Sequence, residues 1–368
     1  IPDNWLRDFL KTKATSAEVA KYLSLSGPSV EKVENSVYFI EVTTNRVDVA
    51  SVYGVAREAA AILPQFGLKA RLQPVKPPVL KFSEKVDYLE AEVNQALCPR
   101  FSAVLIKKVQ IKESPGWLKD RLNAVGVRPI NNVVDISNYV MHELGQPVHT
   151  FDYDKIKGAK MILRESRKGE KLTTLDGKTH TLPGRDIVIE DGEGRLIDLA
   201  GIMGGENSAV DESTKNILLF VQTYNPLNIR ATSMSLAQRT EAAVLFEKEL
   251  DPELVTLGIG RGIELFVKLT NGRPESQILD IYPAPYKVKR VAINTDFLTA
   301  RLGAQLPKDK ITQILRSLGF ETGWSGKTLE VLVPSHRAED ISIPEDIVEE
   351  VARLYGYHNL TSILMEGA

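Results

Sequence analysis

The 368-residue chain carries 46 lysines and arginines against 48 aspartates and glutamates, a formal charge of −2 at pH 7. It is 43% apolar and 26% charged, which is typical of a folded protein of two or three domains. This balance argues against a free-standing nucleic-acid binder, and no apolar run approaches the roughly 20 residues of a membrane span. The single cysteine, Cys98, excludes a disulfide within these residues and favours a cytoplasmic location.

The first predicted domain spans residues 1–76 and ends in the proline-rich stretch 74–78, which indicates a stiff linker. Helical spacing of apolar residues predicts helices, and a short β-branched run predicts one strand. The helices are expected at 4–11, 16–23 and 51–63, and the strand at 37–43. We therefore expect a small, helical, winged-helix-like domain.

The second predicted domain spans residues 80–285 and alternates strand-like with helical patterns, which indicates an α+β domain with a mixed sheet. Strands are predicted at 100–109, 160–164, 186–189, 196–200 and 217–221. Helices are predicted at 115–124, 133–142, 225–235, 242–249 and 252–269. The third predicted domain, 287–360, has helices at 296–302 and 308–318 and a hairpin turn at 325–327, and is winged-helix-like. It has no basic helix, so DNA is not an expected partner. The fold class is thus α+β multidomain.

Two segments place polar residues where a plain core would have leucine. Residues 128–152, RPINNVVDISNYVMHELGQPVHTFD, put asparagines, an aspartate and a Gln-Pro-x-His among apolar positions. Residues 199–206, LAGIMGGE, end an apolar run on a Gly-Gly turn, where the backbone can approach another group closely. Together the two segments predict a polar-lined pocket.

These segments closely resemble the editing module of bacterial phenylalanine–tRNA ligase beta subunits. Three further stretches resemble other parts of the same subunit, in the same order: 43–62 the end of its first domain, 239–252 the second half of the editing module, and 333–357 the end of its fifth domain. The likeness extends over nearly the whole chain.

The resemblance implies a site that hydrolyses tyrosine wrongly attached to phenylalanine tRNA. An apolar synthetic site rejects an added hydroxyl poorly, so a second site must recognise that hydroxyl. The residues that the resemblance assigns to catalysis are His149, Arg128 and Thr240. Those that it assigns to substrate binding are Gly204, Gly205, Ala242, Phe220 and Pro147. The ester is already activated, so positioning and charge stabilisation can suffice.

The residues alone leave other interpretations open. Arg128, in a Val-Arg-Pro turn, also fits a surface cation, and His149 fits a hydrogen-bonded loop histidine. Ala242 fits ordinary helix packing.

Position 220 departs from the family pattern, which has a glutamate there that accepts the tyrosine hydroxyl. Phe220 offers no acceptor, and a buried unpaired hydroxyl costs roughly 1–3 kcal/mol. Discrimination should fall by about one to two decades unless Gln222 or Thr223 substitutes, since about 1.4 kcal/mol is tenfold. The segment 245–252, LFEKELDP, also lacks the family's arginine and glycine. We therefore expect editing to be weakened or altered.

An acidic helix is predicted from residue 342, where SIPE forms a capping box with proline in the first turn. Its carboxylates can be simple decoration of a helix N-terminus. The resemblance instead implies a Mg²⁺ site shared with the alpha subunit. Its ligands would be Asp340, Asp346, Glu349 and Glu350.

The expected partners are the ligase alpha subunit, in an alpha2beta2 heterotetramer, and phenylalanine tRNA. ATP would be used by the complex and not bound by this chain. We expect the family's inserted oligonucleotide-binding barrel to be missing, and residues 361–368 to be a truncated link to absent C-terminal domains. The alternative functions are a free-standing deacylase that acts in trans, and a non-catalytic module that binds RNA or an aromatic amino acid.

Overall fold

The computed structural model describes residues 1–76 and 78–360. They form two compact units, one made of Ile1–Pro74 together with the chain from Lys287 onward, the other of Val75–Tyr286. The segments predicted as the first and third domains thus lie in one compact unit, and their standing as separate functional domains stays a prediction. The link predicted at 361–368, and Pro77 of the predicted linker, lie outside the described residues.

The N-terminal part of the first unit combines helices with two short antiparallel pairs, β1 with β4 and β2 with β3. Its elements are α1 (Asp3–Phe9), β1 (Leu10–Thr12), α2 (Ser16–Ser26), β2 (Val30–Glu34), β3 (Val37–Ile40), α3 (Val52–Ile62) and β4 (Ala70–Leu72). Helix α2 starts where Thr15 and Glu18 cap each other's backbone amides. The predicted helices are therefore present, and β1, β2 and β4 were not predicted.

The second unit contains the elements that carry most of the predicted site. They are β5 (Phe82–Ser83), β6 (Glu90–Val93), β7 (Arg100–Lys107), α4 (Gly116–Ala124), α5 (Asn132–Leu144), β8 (Val148–Asp152), β9 (Lys160–Glu165), β10 (Lys171–Thr173), β11 (Thr179–Thr181), β12 (Ile187–Asp191), β13 (Leu196–Leu199), β14 (Met203–Gly204), β15 (Ile217–Thr223), α6 (Pro226–Ser235), α7 (Glu241–Phe246), α8 (Leu254–Thr270), β16 (Arg273–Pro274) and β17 (Ile278–Ile281).

Two mixed sheets form the body of this unit. One has the strand order β5-β17-β7-β15-β8, with β16 also paired to β7, and the other has the order β14-β13-β12-β9-β6. The pairs β5–β17 and β6–β9 are parallel, whereas the remaining pairs in both sheets are antiparallel. The predicted α+β class with a mixed sheet is confirmed.

The two faces of the first sheet are covered differently. Helix α8 lies on one face, where Gly258 and Gly262 let its backbone come close to Val221 and Leu219 of β15. The opposite face carries an aromatic cluster, with Phe220 at 4.7 Å from Phe101 and 5.8 Å from Phe151 between ring centroids. Side chains alternate along β15, so consecutive residues of this strand meet different surroundings.

The C-terminal part of the first unit has a three-stranded antiparallel sheet of order β18-β20-β19 packed with helices. Its elements are β18 (Arg290–Asn294), α9 (Thr295–Leu302), α10 (Lys308–Ser317), β19 (Glu321–Ser325), β20 (Thr328–Leu332) and α11 (Pro344–Tyr355). The two predicted helices and the predicted hairpin are present.

A buried ionic network joins α11 to the N-terminal part of the same unit. Arg353 of α11 donates to Glu58 of α3 at 2.9 Å and to Glu350 at 2.6 Å, and it also donates to the Ser26 carbonyl at 2.9 Å. Arg46 binds the same Glu58. Charges this deep are stable only when paired, so α11 and α3 hold each other in place.

No helix within residues 1–76 and 78–360 combines the length and apolar character needed to cross a membrane.

Candidate functional site

Strands β8 and β15 bring two of the predicted residues into register. Helix α5 ends at Gly145, whose left-handed φ of 80° turns the chain into β8. His149 of β8 lies directly opposite Phe220 of β15, so both side chains point to the same face of the sheet. The alternative interpretation of His149 as a loop histidine does not hold, since this residue lies in a strand.

The imidazole of His149 lies against the diglycine turn. A Cβ added to Gly204 would lie 2.7 Å from both Cε1 and Nε2 of His149, closer than packed atoms approach. The absence of a side chain at Gly204 therefore leaves the space that the His149 ring occupies. At Gly205 an added Cβ would lie 2.7 Å from the Ile197 carbonyl oxygen, so packing within the β13–β14 turn explains that glycine.

Thr240 lies beside the same turn, and its hydroxyl group both donates and accepts a hydrogen bond. The hydroxyl donates to the Ile202 carbonyl at 3.0 Å and accepts from the Ala243 amide at 3.1 Å, which caps helix α7. Thr240 and Ala242 are half-buried. The structure therefore brings His149, Gly204 and Thr240 to one place, while their catalytic and binding roles stay predictions.

A hairpin that was not predicted covers the turn. Between β10 and β11, the Leu175 amide donates to the Gly204 carbonyl at 3.0 Å, and Thr174 forms a β-bridge with Gly205. The Leu175 side chain, 49% exposed, comes to 3.2 Å from the position of a Cβ on Gly204. An exposed leucine beside a half-buried histidine makes an apolar rim for the candidate site.

Arg128 and Pro147 are placed differently from these residues. Arg128 is exposed in the loop before α5, and no hydrogen bond or ion pair within the described residues ties it to His149 or Thr240. Pro147 is buried at the start of β8, where its carbonyl accepts from Gln146. The structure does not join Arg128 to the other predicted catalytic residues.

Phe220 is fully buried, with 0% of its surface exposed, between Phe101 and Phe151. It fills the core at the position where the family resemblance places a carboxylate. Its side chain packs in the core here, and its predicted contact with a substrate stays a prediction. Of the two residues expected to compensate, Gln222 shares the face of Phe220, whereas Thr223 points to the opposite face.

Burial sets the charge state of two groups at the site. Burial lowers the pKa of His149 to about 4, so its imidazole is neutral at pH 7 and can accept or donate one hydrogen bond. Burial raises the pKa of Asp198 to about 7. Asp198 lies directly opposite Gly204 in the β13–β14 pair, so it points to the face that meets His149.

Sequence reasoning missed Asp198 as a candidate. The signal was present: it is the one charged residue in the apolar run 196–200, LIDLA. A carboxylate in a central strand position that is otherwise apolar must be solvated, paired or perturbed.

The acidic helix does not gather the predicted metal ligands. The guanidinium of Arg337 lies between Asp340 and Glu350, with contacts of 2.8 Å to each. Asp346 accepts from the backbone amides of Ser342 and Ile343 at 2.7 and 2.9 Å, so it caps the helix that Glu345 was predicted to cap. Within residues 1–76 and 78–360 no group of three or more His, Cys, Asp or Glu is arranged to hold a metal ion.

In this chain the four carboxylates do not converge, and the Mg²⁺ site shared with an alpha subunit stays a prediction. Burial opposes ionisation of Glu350, but the charges of Arg353 and Arg337 outweigh it and lower the pKa to about 2. Glu349 is exposed on the next position of the helix. Three of the four carboxylates have structural partners, and they do not fit a shared ion without losing them.

Two parts of the chain match known domain families. Residues 97–271 match the family model of the B3/4 domain, and residues 291–357 match that of the tRNA synthetase B5 domain. A B3/4 domain and a tRNA synthetase B5 domain thus follow one another along this chain. It is 40% identical over 332 residues to the phenylalanine–tRNA ligase beta subunit of Clostridium tetani, covering 90% of this chain and 41% of that protein.

A second curated relative and one solved structure show the same similarity. The beta subunit of Geobacter metallireducens is 41% identical over 329 residues, which is 89% of this chain and 40% of that protein. A crystal structure of an N-terminal fragment of the phenylalanyl-tRNA synthetase beta subunit from Pyrococcus horikoshii shares the fold, with a TM-score of 0.51 at 17% identity over 96% of this chain and 98% of the fragment. The chain is similar over about nine tenths of its length to phenylalanine–tRNA ligase beta subunits, and it spans about two fifths of the length of the curated relatives it matches.

Proposed function

We propose that this chain acts as the N-terminal part of a phenylalanine–tRNA ligase beta subunit, and that its second unit binds the aminoacylated end of phenylalanine tRNA and hydrolyses mischarged tyrosine. The observation that carries the proposal is the contact of His149 with Gly204 beside Thr240. These residues come from three separate parts of the sequence and meet at one turn, where His149 and Thr240 are half-buried. A neutral imidazole there can position a water beside an ester carbonyl.

The proposed partners follow from the similarity to phenylalanine–tRNA ligase beta subunits. We propose that an alpha subunit supplies aminoacylation and ATP use, and that a heterotetramer is the working form. The formal charge of −2 leaves most of the attraction for tRNA to local basic patches or to the partner.

A deacylation assay tests the proposal. Tyrosyl- and phenylalanyl-tRNA would be incubated with this chain, alone and together with the alpha subunit. We expect hydrolysis of tyrosyl-tRNA to fall at least tenfold in His149→Ala and in Thr240→Val. His358→Ala, at an exposed histidine of the other unit, is the matched control and should keep the wild-type rate. Equal rates in wild type and both site variants would refute the proposal.

A second function is favoured by the burial of Phe220. Without the family's carboxylate at that position, the unit could bind an aminoacyl end and not cleave it. Binding of tyrosyl-tRNA with no hydrolysis, with or without the alpha subunit, would support this non-catalytic role. Hydrolysis by the chain alone would instead support a deacylase that acts in trans.

A further inference from the structure

Three polar side chains lie together in the interior of the second unit without enough partners. Asp198 is 4% exposed, Gln222 3% and Tyr224 3%. The Gln222 Oε1 and the Tyr224 hydroxyl make no hydrogen bond of ordinary geometry within the described residues, although the Gln222 side chain lies near enough to the Tyr224 hydroxyl to oppose the rise in its pKa. Within residues 1–76 and 78–360 no hydrogen bond or ion pair holds the carboxylate of Asp198, and burial is the cause of its raised pKa. Native proteins leave few such groups, each at a cost of about 1–3 kcal/mol.

The three groups share one interior layer. Gln222 lies two residues after Phe220 on β15, so both point to the face that carries His149. Asp198 opposes Gly204, which His149 contacts.

Tyr224 follows β15 and completes the layer. A Cβ added to Gly201 would lie 2.9 Å from its ring atom Cδ2, so the turn between β13 and β14 receives the rings of both Tyr224 and His149. Burial and the neighbouring charge of Asp198 raise the pKa of the Tyr224 hydroxyl well above its ordinary value. Both the phenol and the carboxylate thus lie at the β13–β14 turn, Tyr224 against Gly201 and Asp198 opposite Gly204.

Asp198, Gln222 and Tyr224 together have the functional groups of a site that binds a hydroxyl. Asp198 and Gln222 offer acceptors, and the Tyr224 hydroxyl can donate or accept. A phenolic hydroxyl that enters the layer would receive the acceptor that Phe220 cannot give. A site built to pair a hydroxyl rejects the analogue without it, because its buried polar groups are then left unpaired.

We propose that Asp198, Gln222 and Tyr224 are the residues that recognise the side-chain hydroxyl of a tyrosyl ester, in place of the carboxylate expected at position 220. This inference rests on the proposed function, since it assigns the specificity of the same site. It adds no bond-making step. The three residues position and select the substrate, and His149 with Thr240 remains at the ester end.

The test uses two hydrolysis-resistant probes, 3′-deoxy-3′-aminoadenosine carrying L-tyrosine or L-phenylalanine through an amide. Titration calorimetry with the whole chain should show tighter binding of the tyrosyl probe by about tenfold, which corresponds to about 1.4 kcal/mol. Asp198→Leu and Tyr224→Phe should bind both probes equally. Thr223→Val is the matched control. It removes a buried, unpartnered hydroxyl from the opposite face of β15 and should keep the preference.

The outcomes separate this inference from the proposed function. Equal binding of both probes by the wild type would overturn the inference and leave the binding of aminoacyl ends intact. Binding of neither probe would overturn both. A preference that survives in Asp198→Leu and Tyr224→Phe would place hydroxyl recognition elsewhere. Thermal unfolding of each variant checks that it is folded, and removal of an unpartnered polar group should not lower the melting temperature.

Discussion

Replacing Asp198 by asparagine should stabilise the second unit at neutral pH and not at acid pH. Burial raises the pKa of Asp198 from its ordinary 3.8 to about 7, so ionisation at neutral pH destabilises the folded state. The folded chain holds a proton that the unfolded chain has released between pH 3.8 and 7, so stability falls as pH rises through this window. At about 1.36 kcal/mol for each pH unit, the loss reaches at most about 4 kcal/mol above pH 7.

The gain in Asp198→Asn should therefore grow from about 1.5 kcal/mol at pH 5 to about 4 kcal/mol at pH 7.5, as an upper bound. Hydrogen exchange of peptides covering Ile217–Thr223, measured by mass spectrometry, reports this unit separately from the other. His149 has the opposite dependence, since its lowered pKa makes stability rise from pH 4 to 6.5. Comparing variant and wild type at the same pH removes that contribution. A difference that is constant between pH 5 and 7.5 would refute the buried-carboxylate reasoning.

Three further perturbations test other parts of the molecule. Arg353→Met should destabilise the first unit by about 3–5 kcal/mol in urea denaturation, because the buried carboxylates Glu58 and Glu350 each lose one of two arginine partners. Arg290→Met at an exposed pair should cost less than about 1 kcal/mol. Gly204→Ala should lower the melting temperature and slow deacylation, at a cost of about 1–3 kcal/mol from overpacking, while Gly323→Ala, with nothing within 4 Å, should leave both unchanged. The wild type should lose about 3 kcal/mol of stability as the pH falls from 6.5 to 4, because buried His149 resists protonation, and His149→Gln should abolish this loss. An unchanged acid profile in hydrogen exchange would contradict this.

Periodic patterns predicted most of the long elements. Helices α5 and α8 and strands β7 and β15 lie within a few residues of their predicted positions, because their apolar residues recur with helical spacing or in continuous runs. The short strands β10, β11 and β14 were missed. Their two or three residues carry no period, and only pairing with distant strands defines them.

The candidate site was predictable in part. Family motifs selected His149, Gly204 and Thr240, and the structure brings these three together. The same motifs could not show that Phe220 is fully enclosed, or that Arg337 occupies the space between Asp340 and Glu350. Both facts depend on side chains supplied by other strands and turns.

The sequence by itself determined the domain families, the fold class and the segments that form the site, because these depend on local periodicity and on motifs along the chain. Only the tertiary structure decided which polar groups lack partners. Whether Asp198 is solvated, paired or isolated depends on the register of β13 with β14 and on what the opposing sheet places in front of it. Register and sheet packing are non-local, and the free energy of a buried charge is set by those neighbours and not by its own segment.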